Sequence, residues 1–370
     1  VSVLEHCRRI ADLSDQPGAT TRTFLSPAAR QCLDYFQSWA HRIGLIEVRV
    51  DAVGNFRAVL PGRSERRLVL GSHLDTVPNA GAFDGVLGVV IAMEIAETFA
   101  GDPPLCTLEI LGFSEEEGIR FGRPFIGSVA FADGLSHDFL ALKDSAGVTV
   151  QQAIEEFGLD PAQVVHPLMH ADTAAYLEFH IEQGPVLENL GLPLGVVEAI
   201  AGQTRASVTF VGRANHAGTT PMDLRQDAFC AAAEWALAVE ARARETAGLV
   251  ATVGSVEVTP GAGNVVPGRA VLSLDLRHTK DEIRLAAVEQ LLLEAQDVAR
   301  SRNLECELKI RVQQAAVPMD HALVREVDRA VNAAGVQPHR MTIGDGHDAM
   351  VLDRRVPRAM IFLLSPGGLS

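Results

Sequence analysis

Apolar and polar positions follow two regimes along the chain. In the first half, short apolar runs of strand length alternate with stretches of helical period. Ser26 followed by Pro27 starts a helix-patterned stretch running through Trp39 to Ile43, since a serine cap and a first-turn proline both suit a helix N-terminus. Residues 46–50 and 56–60 read as short strands, punctuated by Gly54 and Pro61-Gly62. Residues 67–72 are largely apolar and lead into Gly71-Ser72-His73, which predicts a buried strand delivering polar groups at its carboxyl end. A helix over 86–99 and a second buried strand over 105–113, also ending in polar residues, follow. Such paired strand ends are where α/β folds gather their active-site groups.

From residue 204 the pattern changes. Residues 205–211 alternate as a strand, 224–247 form a long helix, and 249–258 and 270–277 read as strands. A second helix covers 280–300, with Thr279 and Glu282 at capping-box spacing, and 304–312 closes as a strand. This β-α-β-β-α-β order is that of a ferredoxin-like unit. Helix pattern then returns at 322–334 and a buried strand at 359–364. The predicted fold is therefore α/β and discontinuous: residues 1–203 and 317–370 form one domain, interrupted by an α+β domain at 204–316. Residues 134–176 resist assignment and read as irregular structure.

Composition narrows the class. The 370 residues favour two domains, and 47% hydrophobic residues is an ordinary globular fraction. No run approaches the roughly 18–20 apolar residues of a membrane span, and the amino-terminal segment carries no apolar secretory stretch. A formal charge of −15 argues against nucleic acid as a partner. Five scattered cysteines, none in a Cys-x-x-Cys pair, disfavour a disulfide framework or a thiolate metal site and point to the reducing cytoplasm.

Five segments carry candidate chemistry. Gly71-Ser72-His73-Leu74-Asp75-Thr76-Val77-Pro78, followed by Phe83-Asp84-Gly85, offers a strand-end histidine with a carboxylate two residues on, as a metal ligand and its orienting partner require. A plain surface pair is the alternative. Ser114-Glu115-Glu116-Glu117-Gly118 puts three carboxylates at a buried strand's mouth, where they repel unless a cation compensates them or water solvates them. In Glu178-Phe179-His180-Ile181-Glu182-Gln183-Gly184, alternation places Glu178, His180 and Glu182 on one face, a ligand face or a solvated one. The loop around Asn215-His216-Ala217-Gly218 and the segment Gly344-Asp345-Gly346-His347-Asp348-Ala349 complete the set. Imidazole and carboxylate donors without cysteine suit divalent ions that activate water for hydrolysis, provided the fold makes them converge.

Six motifs, in order, carry a resemblance: Gly-Ser-His-Leu-Asp-Thr-Val-Pro, Phe-Asp-Gly, Glu-Glu-Glu-Gly-Ile-Arg-Phe-Gly, His-Ile-Glu-Gln-Gly-Pro-Val-Leu-Glu, Asn-His-Ala-Gly-Thr-Thr-Pro-Met and Gly-His-Asp-Ala. Together they resemble the M20 metallohydrolases, in particular the ureidohydrolase branch of N-carbamoyl-L-amino acid hydrolases, β-ureidopropionases and allantoate amidohydrolases. The resemblance implies two divalent metal ions per subunit (zinc, manganese, cobalt or nickel). Asp84 would bridge them, with His73 and His180 on one side and Glu117 and His347 on the other. Asp75 would orient His73, and Glu116 would act as general base on a metal-bridging water. His216 would stabilise the oxyanion. Asn264 and Arg277 would hold the carboxylate of a small substrate, and Gln183 its ureido or amide end. The resemblance also implies a cis peptide at Asp84-Gly85 and a homodimer built through the inserted lid domain.

The implied reaction is hydrolysis of a carbamoyl or ureido C–N bond. The rival within the superfamily is a dimetal exopeptidase or N-acyl amino-acid deacylase, and the rival from another class is a binding protein that kept the scaffold. Two departures stand out. Asp345 occupies a position where the family usually has a small residue, and the chain stops at Ser365-Pro366-Gly367-Gly368-Leu369-Ser370, where relatives continue into another histidine and a closing helix. The second departure predicts an incomplete C-terminus.

Overall fold

The apolar run beginning at Arg67 forms the strand Arg67–His73, buried from Val69 onward, in the computed structural model, which describes residues 2–99 and 101–368. Its neighbours are Thr107–Phe113 on one side and Thr173–Ile181 on the other, both parallel to it, and Arg358–Leu363 adds a fourth parallel strand beyond Thr173–Ile181. Phe56–Leu60 and then Ile46–Val50 extend the sheet antiparallel from Thr107–Phe113, and Leu194–Ile200 pairs antiparallel with Arg358–Leu363. Because Arg67–His73, Thr107–Phe113 and Thr173–Ile181 run the same way, His73, the Glu115-Glu116-Glu117 turn and His180 emerge at one end of the sheet.

Two helices illustrate why local sequence suffices for these elements. In Pro27–Arg42 the Ser26 hydroxyl accepts the Ala29 N–H at 3.1 Å, and Phe36 and Trp39 point into the core. Val86–Thr98 is almost wholly apolar because it lies buried against the sheet. The segment 134–176 is not irregular throughout. It holds short helices His137–Leu140 and Val150–Glu156, each capped by a serine or threonine, and the start of the strand Thr173–Ile181. Elements of one or two turns give too few positions for a period to show in sequence.

The chain divides into two units: one contains the described residues up to Glu198, Met319–Met341 and those from Gly346 onward, the other Ala199–Pro318 and Thr342–Asp345. In the second unit the strands lie in the order Val256–Thr259, Arg269–His278, Gly202–Val211, Glu305–Gln314, with Val250–Thr252 also on Arg269–His278 and every pairing antiparallel. That is the ferredoxin-like order. Helices Ala228–Glu245 and Asp281–Ser301 cover one face, where Trp235 and Leu291 pack with Leu272, Leu274 and Leu276.

Three local expectations are corrected here. The first helix of this unit starts at Ala228 rather than 224, because the Asp227 carboxylate caps it through the Phe229 and Cys230 N–H groups. The strand expected over 249–258 is broken in two. The capping box at Thr279 does not form: the N-cap is Lys280, without a side-chain bond, and the Asp281 carboxylate instead accepts from Arg284 and from the Ala316 N–H.

Candidate metal centre

His73 and His180 face each other with their Nε2 atoms 3.2 Å apart, and the Asp84 carboxylate lies 4.0 Å from the first and 3.4 Å from the second. All three side chains are buried. The Nδ1 of His73 donates to the carbonyl of Asp75 at 3.0 Å and that of His180 to the carbonyl of Ile181 at 2.9 Å. A carbonyl only accepts, so each Nδ1 carries the hydrogen, and with both rings neutral each would turn an Nε2 lone pair toward the other. Two lone pairs held this close in a dry site require a cation or a proton between them. The surroundings agree: burial disfavours the His73 imidazolium, yet Asp75, Asp84, Glu117 and Asp348 outweigh it and push its pKa up to about 9.

Gly85 makes this approach possible. Its φ is +64°, and a Cβ there would lie 2.4 Å from the His73 ring. The expected cis bond at Asp84-Gly85 is absent; among the described residues only Thr259-Pro260 is cis. Gly85 instead precedes the helix Val86–Thr98 as its N-cap, with a positive φ.

The acidic turn is organised by Asp75. Its two carboxylate oxygens accept the N–H groups of Glu116 and Glu117 at 3.0 and 3.1 Å. The resemblance gave Asp75 the task of orienting His73. In the structure its main-chain carbonyl accepts from His73 Nδ1, while its carboxylate stands 3.7 Å from that atom and holds the turn that bears the two glutamates. Glu116, Glu117 and His73 form a second group whose ligand atoms all lie within 4.8 Å of one another, beside the group of His73, Asp84 and His180. Glu116 is buried, and burial followed by the charges of Asp348, Glu117, Asp75 and Glu178 raises its pKa well above the usual range. Glu115 turns away, at φ +51°, and accepts the Arg120 and Phe121 N–H groups.

His347 packs edge-on against His180, ring centroids 4.4 Å apart, and neither of its ring nitrogens has a hydrogen-bond partner among the described residues. It joins neither of the two compact ligand groups. Burial, then His180 and His73, hold its pKa well below the ordinary value. Gln183, at φ +52°, reaches the centre, but one of its amide N–H groups is committed to Asp84 Oδ2 at 2.8 Å.

Two buried carboxylates had no role assigned from sequence. Glu178 accepts from Ser72 Oγ at 3.3 Å and from the Ala349 N–H at 3.0 Å, and burial lifts its pKa to about 7. Asp348 is fully buried, and burial with the charge of Glu178 raises it well above its usual range. The alternation Glu178-x-His180-x-Glu182 had marked the first, and its face is buried, not solvated. Asp348 had only its place beside His347 to mark it. With buried carboxylates, facing imidazoles and no thiolate, the residues fit divalent metal ions of the zinc, manganese, cobalt or nickel kind.

The remaining expected residues belong to the second unit. His216 lies in a small two-stranded antiparallel sheet where it pairs with Val265, and Asn264, just before that second strand, accepts the Ala217 N–H at its carbonyl at 2.9 Å. Arg277 lies on the Arg269–His278 strand, where its Nε and Nη2 donate to the two oxygens of Asp275 at 2.7 and 2.9 Å and its Nη1 to the Gly344 carbonyl at 2.7 Å. The hydrogen bond to the Asp275 carboxylate, with the charges of Asp275 and Asp345, raises the Arg277 pKa against burial, so the field of Asp345 falls on Arg277.

The family model described as peptidase family M20/M25/M40 matches residues 69–370. An N-carbamoyl-L-amino acid amidohydrolase of Geobacillus stearothermophilus is 36% identical over 98% of this chain and 90% of its own length. Allantoate deiminase 1 of Glycine max is 34% identical over 98% of this chain and 82% of its own. Among solved structures, a hydantoinase/carbamoylase family amidase from Burkholderia ambifaria superposes with a TM-score of 0.93 at 34% identity, covering 100% of this chain and 91% of that one.

Proposed function

From its membership of peptidase family M20/M25/M40, to which this chain belongs, we infer that it is a metal-dependent amidohydrolase cleaving the carbamoyl or ureido C–N bond of a small acid. It is a hydrolase of C–N bonds, as its named relatives are. The observation that carries the reading is the pair of Nε2 atoms facing each other at 3.2 Å beside Asp84, with the Glu116-Glu117 turn pinned by Asp75 at the same strand ends.

His73, His180 and Asp84 would hold one ion, and Glu117 with the shared Asp84 a second, with His347 the proposed further ligand. Bound there, such ions supply polarisation of the carbonyl and acidification of water. Glu116 takes the proton of the attacking water and passes it to the departing nitrogen, which leaves as a neutral amine or ammonia. The recognition roles of His216 toward the oxyanion, of Asn264 and Arg277 toward the substrate carboxylate and of Gln183 toward the ureido end belong to the same proposal, as does a homodimer formed through the inserted domain. Among the described residues no helix is long and apolar enough to cross a membrane. The five cysteines are all free, which supports a cytoplasmic setting.

The test is metal analysis of the purified protein followed by an ammonia-release screen over N-carbamoyl-L-amino acids, allantoate and β-ureidopropionate. Turnover that is lost on chelation and restored by a divalent ion is the expected result. Cleavage of N-acetyl amino acids or dipeptides in preference to all of these would replace the ureido reading with a deacylase or peptidase.

A further inference from the structure

Resting on the recognition role just given to Arg277, we propose that Asp275 is a positioning residue that presents the guanidinium of Arg277 end-on to the substrate carboxylate. A guanidinium has five N–H donors in a fixed plane. Asp275 takes the Nε and Nη2 edge with both oxygens. Gly344 lies along a different edge: a Cβ built on it would stand 3.5 Å from Cδ and 3.7 Å from Nη1 of Arg277, and its carbonyl takes an Nη1 hydrogen. The edge left over is the end formed by the two terminal nitrogens, the one that matches a carboxylate with two parallel bonds.

Asp275 is itself held. Its Oδ2 accepts from Arg205 Nε at 3.0 Å and from Gln203 Nε2 at 3.1 Å. Asp275 pairs across the strands with Arg205, and Arg277 with Gln203. Strand alternation puts these four side chains on the face opposite the buried Thr204, Ala206, Leu274 and Leu276. The charge of Arg205 offsets that of Asp275, so the pair does not repel an incoming carboxylate.

The experiment compares an N-carbamoyl-L-amino acid, turned over in the ammonia-release screen, with its carboxamide analogue. Asp275→Asn keeps the shape but loses the charge and one acceptor. It is expected to raise KM for the acid about tenfold, with kcat and the carboxamide's kcat/KM within about twofold of wild type. In an Arg277→Ala background the same change adds no further loss. Should Asp275→Asn not fold, Asp275→Glu, which keeps the charge but displaces the fork, carries the same comparison. A wild-type KM for the acid in the Asp275 variant, or an equal loss on the carboxamide, overturns the positioning role while leaving Arg277 as the carboxylate's partner. If Arg277→Ala does not separate acid from carboxamide, the recognition role itself falls, and this proposal with it.

Discussion

The Nε2 atoms of His73 and His180 stand 3.2 Å apart, each ring fixed by an Nδ1 hydrogen bond to a main-chain carbonyl. In the metal-free protein the carboxylates around His73 hold its pKa at about 9, above its unfolded value of 6.5. Its imidazolium therefore contributes stability that is complete below the unfolded value and is lost as pH rises through the folded one. A metal ion has to displace that proton. Metal uptake at neutral pH is expected to release protons, and affinity is expected to increase with pH until His73 is neutral. Calorimetry in buffers of different ionisation enthalpy measures the release. Binding without it would mean that His73 is not a ligand.

Gly85→Ala is expected to disable the centre without unfolding the sheet. The new Cβ meets the His73 ring at 2.4 Å, and alanine resists a φ of +64°. Metal affinity is expected to fall by about 10–100-fold, the scale seen when a ligand's orientation is lost. Metal content after dialysis, set beside an unchanged far-ultraviolet circular dichroism spectrum, checks this.

Glu116→Gln retains the proposed ligands and removes the proposed proton carrier. Turnover is expected to drop by about 10²–10⁴-fold with the metal content intact. Activity equal to wild type would assign the proton transfer to another group.

Asp75→Asn leaves one acceptor where two N–H groups converge from Glu116 and Glu117. The turn then loses one of its two anchors while the Asp75 carbonyl still faces His73. We expect kcat to fall by about 10–100-fold with less effect on KM. Steady-state kinetics decide it: a change confined to KM would show that the carboxylate serves binding and not the glutamate turn.

Much of this centre was legible in the chain because strands and polar punctuation are local. The apolar runs ending at His73 and before Ser114 announce buried strands with polar ends, the alternation through His180 announces a strand without deciding its burial, and all three strands form. The order β-α-β-β-α-β after Gly202 was legible for the same reason. The Thr279 capping box was misleading because Asp281 found stronger partners in Arg284 and Ala316, which the local spacing does not register.

By itself, then, the sequence determined the elements, their polar ends and the donor types, since periodicity, capping and side-chain chemistry act over a few residues. Only the tertiary structure decided that three strands lie parallel and adjacent, so that residues over a hundred positions apart meet: His73 and His180, or Glu178 and Ala349. It also decided that Asp75 grips the glutamate turn with its carboxylate and His73 with its carbonyl, and that Asp348 is buried. Those outcomes depend on which surfaces exclude water together, a property of the packed chain that no local window contains.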